Sequence, residues 1–437
     1  MMHSPLRRSL LCLFAAWSVG VVFGVEAARS AEPAWDRFRG PNGSGISEAT
    51  TVPAAGTDAD YNWRVDLPGP GISSPVIWGD RLFVTAADEE KLERYLLCYA
   101  AADGKLLWKQ GVPFVAEKKH LKNTFASNTP AVDAERVYTI WQSRAASQLV
   151  AYDHAGKQLW TCELGPYRSG HGCGISPIVT DGVVAINYVQ EGDSRLIGVD
   201  AATGRERWTI PRKSVKASYS TPCVFTGADG RNQLIFTSWL HGFTSVDPTT
   251  GRVLWERDAF DVEGDEKRSI GSPFTAGGLI YGNCGFVGGK KFLVAVRPGA
   301  SDQSTPVASA TSAASGAAEV FRLERNVNHM PTAIAHRGLL FLWTDAGIVV
   351  CARADTGKIV WQERLGGNFA GSPVCVGGKL YCLSDEGEMI VLAAAEEFAE
   401  LGRVQLDSGS SSTPAAADGK LYFRTEGKLY SLGGAKK

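Results

Sequence analysis

The chain has 437 residues, with 45 Lys plus Arg set against 46 Asp plus Glu. That balance leaves no net field of either sign, which excludes bulk attraction to nucleic acid or to an anionic lipid surface. Forty-nine glycines and twelve tryptophans indicate many turns around a well-packed apolar interior, and the length admits one large all-β domain or two or three ordinary ones.

Residues 1–30 read as an export signal peptide: a basic start at Arg7 and Arg8, an apolar run from Leu10 to Val25, then small residues suited to cleavage after Ala27 or Ser30. The run is shorter than a comfortable bilayer span, so no stable membrane anchor is expected after cleavage, and the mature chain is placed in the periplasm or outside the cell. Export makes disulfides possible. Of the eight cysteines beyond Cys12, Cys162 with Cys173 is the one pair expected to bridge, while Cys98 and Cys351 stand in apolar runs and read as buried free thiols.

Residues 31–60 form an N-terminal arm. Its stretch PAWDRFRGPNGSGIS, 33–47, is too specific in aromatic residues, Arg and Gly for a bare linker. Trp35 and Phe38 are expected as anchors, with Arg39 bonding backbone carbonyls.

From residue 61 the chain repeats. Glycine, Lys or Arg, two residues and Trp recur at Gly104–Trp108, Gly156–Trp160, Gly204–Trp208, Gly251–Trp255 and Gly357–Trp361. A second mark, Ser or Thr before Pro, stands at Pro75, Pro130, Pro177, Pro222, Pro273, Pro373 and Pro414, with Met330-Pro331 as an eighth, imperfect copy. The intervals of 41 to 58 residues between these prolines suit propeller blades and no common helical repeat. Each unit carries four short apolar runs separated by turn residues, the grammar of a four-stranded antiparallel blade. One segment with helical period, AAAEEFAE at 393–400, occupies a turn position in the seventh unit.

The glycine of each Gly-Lys turn is expected to supply a positive φ, and the tryptophan to pack against the neighbouring blade. A catalytic site would not be written five times around one axis, so these turns are structural. The final unit ends after three strands, whereas Trp63 stands twelve residues before Pro75, as Trp361 does before Pro373. The segment around Trp63 is therefore expected to complete the last blade and remove the open edges. The fold class is all-β, an eight-bladed propeller over 61–434. Within blade five, the Ala/Ser/Thr-rich stretch 299–319 stands where the docking turn belongs and reads as a flexible insertion, with an outer strand resuming at 320–325 without its Trp.

These repeats resemble those of the pyrroloquinoline-quinone-type (PQQ-like) eight-bladed propellers, a superfamily that holds quinoprotein alcohol dehydrogenases and the non-enzymatic barrel-assembly factor BamB. The opening W-x-x-F-R-G-P is similar to that of many exported propellers of planctomycetes. The resemblance implies the tryptophan-docking role for Trp63, Trp108, Trp160, Trp208, Trp255 and Trp361 and for the paired Gly104, Gly156, Gly204, Gly251 and Gly357. It also implies that ligand-facing residues lie in the loops entering each inner strand and in those between second and third strands.

The entering loops carry Lys122, Asn123, Arg168, His171, Lys216, Tyr219, Arg268, Asn328, His329 and Asn368, and the opposing loops add Trp141, Trp239, His241, Phe286 and Trp343. That rim is basic and amide-rich on a neutral protein, suited to an acidic or sugar-like ligand or to a partner's acidic loop. A quinoprotein enzyme of the resembled type would need a Glu, Asn and Asp set holding calcium against the quinone, a disulfide of adjacent cysteines and a catalytic Asp. Adjacent cysteines are missing. Asp345, Asp385 and Glu426 recur at one turn of consecutive blades and read as turn residues, and no histidine has metal spacing. The expectation is an exported, monomeric, non-enzymatic scaffold without metal or cofactor, offering its loop face to a protein partner. The alternatives are a PQQ-dependent dehydrogenase or quinone-binding protein with calcium, and a carbohydrate-binding propeller if the loop tryptophans are exposed.

Overall fold

Besides Met1, a computed structural model of the chain describes residues 35–260, 267–286, 288–299 and 316–434. The signal segment and most of the stretch 299–319 lie outside the described residues. Among the described residues there is no helix long and apolar enough to cross a membrane.

Blade one shows the pattern: strands Val76–Trp78, Arg81–Asp88, Glu93–Ala100 and Leu106–Pro113 pair antiparallel in that order, from the axis outward. Its two middle strands are buried on both faces, because each blade stacks on two neighbours, and their sequences are accordingly continuous apolar runs. Eight such sheets form the ring. The last holds Ala415–Ala417, Lys420–Arg424 and Lys428–Gly433, and is completed by Tyr61–Asp66 with Trp63 opposite Ser431. The closure expected from the position of Trp63 is thus the one observed.

The residues before the prolines form a belt around the axis. The backbone N–H of Ser74 donates to Thr129 Oγ1, Thr129 to Ser176 Oγ, Thr221 to Ser272 Oγ, Ser272 to Thr332 Oγ1, Thr332 to Ser372 Oγ and Ser372 to Thr413 Oγ1, each at 2.8–2.9 Å. Proline follows because the innermost strand leaves that N–H position unpaired within the sheet. Blade six corrects the sequence reading. Its belt residue is Thr332, two residues before the inner strand Ile334–His336, as Ser74 is before Val76. Met330-Pro331 stands two places too early to be the equivalent mark.

At the rim, every docking tryptophan except Trp361 lies on the glycine of the following blade. A Cβ on Gly104, Gly156, Gly204 or Gly251 would fall 2.5–2.7 Å from the ring or Cβ of Trp63, Trp108, Trp160 or Trp208, respectively. All these glycines have positive φ, as does Gly357 at 70°. Indole N–H groups complete the joint: Trp63 donates to Ala101 O at 3.1 Å and Trp208 to Pro248 O at 2.8 Å. Blade five keeps the geometry with other residues. Trp255 lies on Gly316, and Phe321, in the strand Ala317–Leu323, stands over Gly357 in place of the missing tryptophan. The outer strand therefore begins three residues earlier than expected. Residues 394–399 are irregular rather than helical. They form the turn that receives Trp361, whose N–H reaches Ala395 O at 3.1 Å while Phe398 meets its ring edge-on at 5.4 Å.

The arm does more than pack over the ring. Ile46–Ser47 adds a parallel fifth strand to the inner edge of blade seven, against Val374–Val376. Before it, the arm crosses the axis and bonds inner strands around the ring: Ile77 N–H to Trp35 O, Val132 N–H to Asp36 O, Arg37 to Pro222 O, and Asn42 with Val224. Arg39 is fully buried and donates to the carbonyls of Gly43, Ser44, Thr332, Ala333 and Pro373 at 3.0–3.2 Å. Farther on, Val52 is buried where blade seven lacks a docking tryptophan, and Tyr381 OH donates to its carbonyl at 3.0 Å.

Candidate functional site: the axial cavity

Because the arm fills the axis at the end bearing the docking turns, the channel is blind. Above Phe38 it opens toward the loop face as a cavity of about 550 Å³. Eight expected residues converge on it: Lys122, Asn123, His171, Tyr219, Arg268, His329, Asn368 and Phe286. The first seven come from the entering loops of blades two to seven, and Phe286 comes from the loop between the second and third strands of blade five.

The other seven do not. Arg168 is exposed and Lys216 half-buried, both outside the lining. Asn328 is buried, with its amide turned to Pro331 O inside its own loop. Trp239 and His241 belong to a hairpin that leans away from the axis: Trp239 packs on the core between blades four and five, and His241 Nε2 accepts the Lys213 N–H of the outer strand at 3.4 Å. Trp141 and Trp343 are also buried, under Arg94 and against Phe369. The tryptophans on which a carbohydrate-binding reading depends therefore do not face the cavity.

Two acids that read as turn residues serve the cavity as well. Asp345 takes Lys291 Nζ at 3.0 Å and the backbone N–H groups of His329 and Met330 at 3.0 and 2.9 Å. Asp385 takes Lys122 Nζ at 2.7 Å and Ser411 Oγ at 3.0 Å. Blades two and seven are not neighbours, so Lys122 to Asp385 is a strut across the axis. Sequence reasoning missed this pair, as it missed Phe38 as cavity floor, Lys291, and His120, whose ring stacks on His171 at 5.2 Å. The turn repeats TDAG and SDEG carried the only available signal.

Burial sets the protonation states. His329 is pushed down to about 4, by burial first and then by Lys291, Arg268 and His171, against the pull of Asp345. His171 is lowered for the same leading reason. Cys173 lines the cavity as a thiol raised by burial to about 12, and no disulfide joins it to Cys162. Cys162 lies on the outer strand Gln158–Gly165 whereas Cys173 faces the axis, and all eight described cysteines are free.

The residues present do not fit calcium held against a quinone. Asp345 and Asp385 are committed to lysines and amides, the one lining cysteine stands alone, and no group of three or more His, Cys, Asp or Glu among the described residues could hold a metal ion. Asparagine at the axis is engaged as well: Asn123 donates to His171 O at 2.8 Å and Asn368 to Glu386 at 2.8 Å.

Comparisons with known proteins agree with this architecture. The family model described as outer membrane protein assembly factor BamB matches residues 93–298 and 301–435. Among solved structures, BamB from Moraxella catarrhalis is similar at 15% identity and a TM-score of 0.60, covering 85% of this chain and 99% of that one. Quinohemoprotein alcohol dehydrogenase from Comamonas testosteroni is similar at 13% identity and 0.64, covering 94% and 82%. A europium-containing methanol dehydrogenase is similar at 11% identity and 0.55, covering 92% and 98%. At these identities the likeness shows the fold alone. No curated protein matches significantly.

Proposed function

The chain belongs to the family described as outer membrane protein assembly factor BamB, and from that premise we propose that it is an exported, non-enzymatic binding platform that holds a protein partner on its loop face. The observation that carries this reading is the polarity of the ring. One end is filled by the arm, while the other presents a cavity with a basic and amide lining inside a rim of exposed apolar side chains. Leu121 at that rim is wholly exposed and Val115, Val215 and Phe286 are about half exposed or more. Exposed apolar residues around a socket that carries cationic and amide groups are the composition of a recognition surface rather than of ordinary solvated loops. The one cysteine of the lining is held protonated, and Asp345 and Asp385 are held by ammonium groups.

The test is site-specific photocrosslinking in the native cell, with the reactive residue at position 121 or 286 on the loop face and at 359 or 401 on the opposite half of the blades. One recurrent partner from the first two positions and none from the second two supports the platform. Equal crosslinking from both ends, or none from the loop face, overturns it.

A further inference from the structure

Three cations line the cavity, and two are neutralised by close contacts: Lys122 by Asp385 at 2.7 Å and Lys291 by Asp345 at 3.0 Å. Arg268 is different. Only 8% of its surface is exposed, its ion pair with Glu191 is loose at 3.6 Å, beyond hydrogen-bond range, and its Nε has no partner. Its backbone is fixed in both directions by Gly285, at 3.0 and 3.1 Å. Beside it in the same cavity, His329 is 4% exposed with Nδ1 lacking a partner, and His171 Nδ1 is likewise buried and unpaired. A guanidinium desolvated with an unmade N–H bond costs free energy unless an acceptor completes it. The surrounding wall includes Ile72, Ile270 and Met330.

We infer that the axial cavity is a socket for a single carboxylate side chain, a Glu or Asp carried on a loop of the partner protein, with Arg268 as its fork. The inference rests on the platform reading and names the partner's chemistry. The one cation whose acid stands beyond hydrogen-bond range, with an N–H still unmade, matches one carboxylate, and a phosphate dianion would need the charge already spent on Asp345 and Asp385. The apolar wall suits the methylene stem of an acidic side chain, and the exposed Leu121 and Phe286 suit the apolar residues that flank it on a peptide. Those rim contacts favour a protein segment over a free organic acid.

The experiment uses the mature chain, residues 31–437, and a fluorescein-labelled hexapeptide alternating leucine and glutamate with an amidated end, read by fluorescence anisotropy. Expected are saturable binding and a loss of about tenfold or more with the glutamine analogue of the peptide, and the same loss in Arg268→Gln. Arg168→Gln, outside the cavity, stays within about twofold. His171→Phe, which fills the socket and keeps the arginine, guards against misfolding of the Arg268 variant and is expected to abolish binding. Equal affinity for both peptides, or no binding at millimolar peptide, overturns the socket. Free glutarate competing as well as the peptide overturns the assignment to a protein segment. Loop-face crosslinks that persist while the peptide fails would remove this inference and leave the platform standing.

Discussion

Trp63 and Gly104 meet at the seam where the ring closes: a Cβ on Gly104 would lie 2.7 Å from the indole, whose N–H donates to Ala101 O at 3.1 Å. The contact joins the first strand of the ring to the first full blade. Gly104→Ala is therefore expected to cost about 2–4 kcal/mol, from positive φ and overpacking together. Gly277, at φ +57° with nothing within 4 Å of a Cβ, reports the backbone cost alone, about 1 kcal/mol for Gly277→Ala. Urea midpoints of the two variants measure the difference, and equal losses would show that the tryptophan contact carries no stability.

The repeats were legible because each blade solves the same problem with the same residues, a hydroxyl at the axis and a tryptophan on a glycine at the rim. Closure was legible from one spacing, Trp63 to Pro75. Where a blade used a substitute, pattern failed: Phe321 does the work of a tryptophan, and Thr332 holds the belt although the nearest proline is misplaced. The arm's anchoring of the axis was half visible. Arg39 was expected to seek carbonyls, but backbone acceptors carry no sequence signature, so its partners in blades six and seven could not be named. The strut between Lys122 and Asp385 joins residues 263 positions apart, which no local pattern records. The cavity's composition could be read from the loops, but which loop residues turn inward depends on the lean of each hairpin, as Trp239 and His241 show.

Arg39 should be the keystone of the arm. Its guanidinium is fully buried and makes five hydrogen bonds to carbonyls, three of them on the ring. Arg39→Ala is expected to cost about 3–5 kcal/mol, since it strands several buried acceptors. Arg39→Lys should recover little, because an ammonium cannot reproduce the fork. Limited proteolysis would then clip the arm ahead of the ring. Wild-type protease resistance in Arg39→Ala would show that the other arm contacts suffice.

The thiols give a direct check on the sequence expectation of a bridge between Cys162 and Cys173. The mature chain unfolded without reductant is expected to release eight titratable thiols, against two fewer if that pair is oxidised. In the folded protein, burial holds Cys98, Cys173, Cys223, Cys284, Cys351 and Cys375 near 12, so their thiolate fraction at pH 8 is negligible and alkylation should be slow. Half-exposed Cys162 should react first. A rapid native reaction at Cys173 would contradict its placement.

His329 should make the fold weaken in mild acid, before the carboxylates titrate. Its folded pKa is about 4 against an ordinary 6.5, so between those values the unfolded chain binds a proton that the folded chain refuses. Its contribution is present in full above about pH 6.5 and is lost as pH falls toward 4, by roughly 3 kcal/mol at most. The groups facing it act in both directions. Lys291, Arg268 and His171 oppose protonation, and Asp345 favours it. His171, also lowered, adds a slope of the same sign. Urea unfolding of wild type and His329→Gln at pH 7.5, 6 and 5 isolates the term, because the remaining histidines contribute to both proteins. The variant is expected to lose less stability across that range, even if it starts lower. Parallel pH profiles would mean that His329 is protonated as easily in the folded state as in the unfolded one, and that the cavity is wetter than its packing implies.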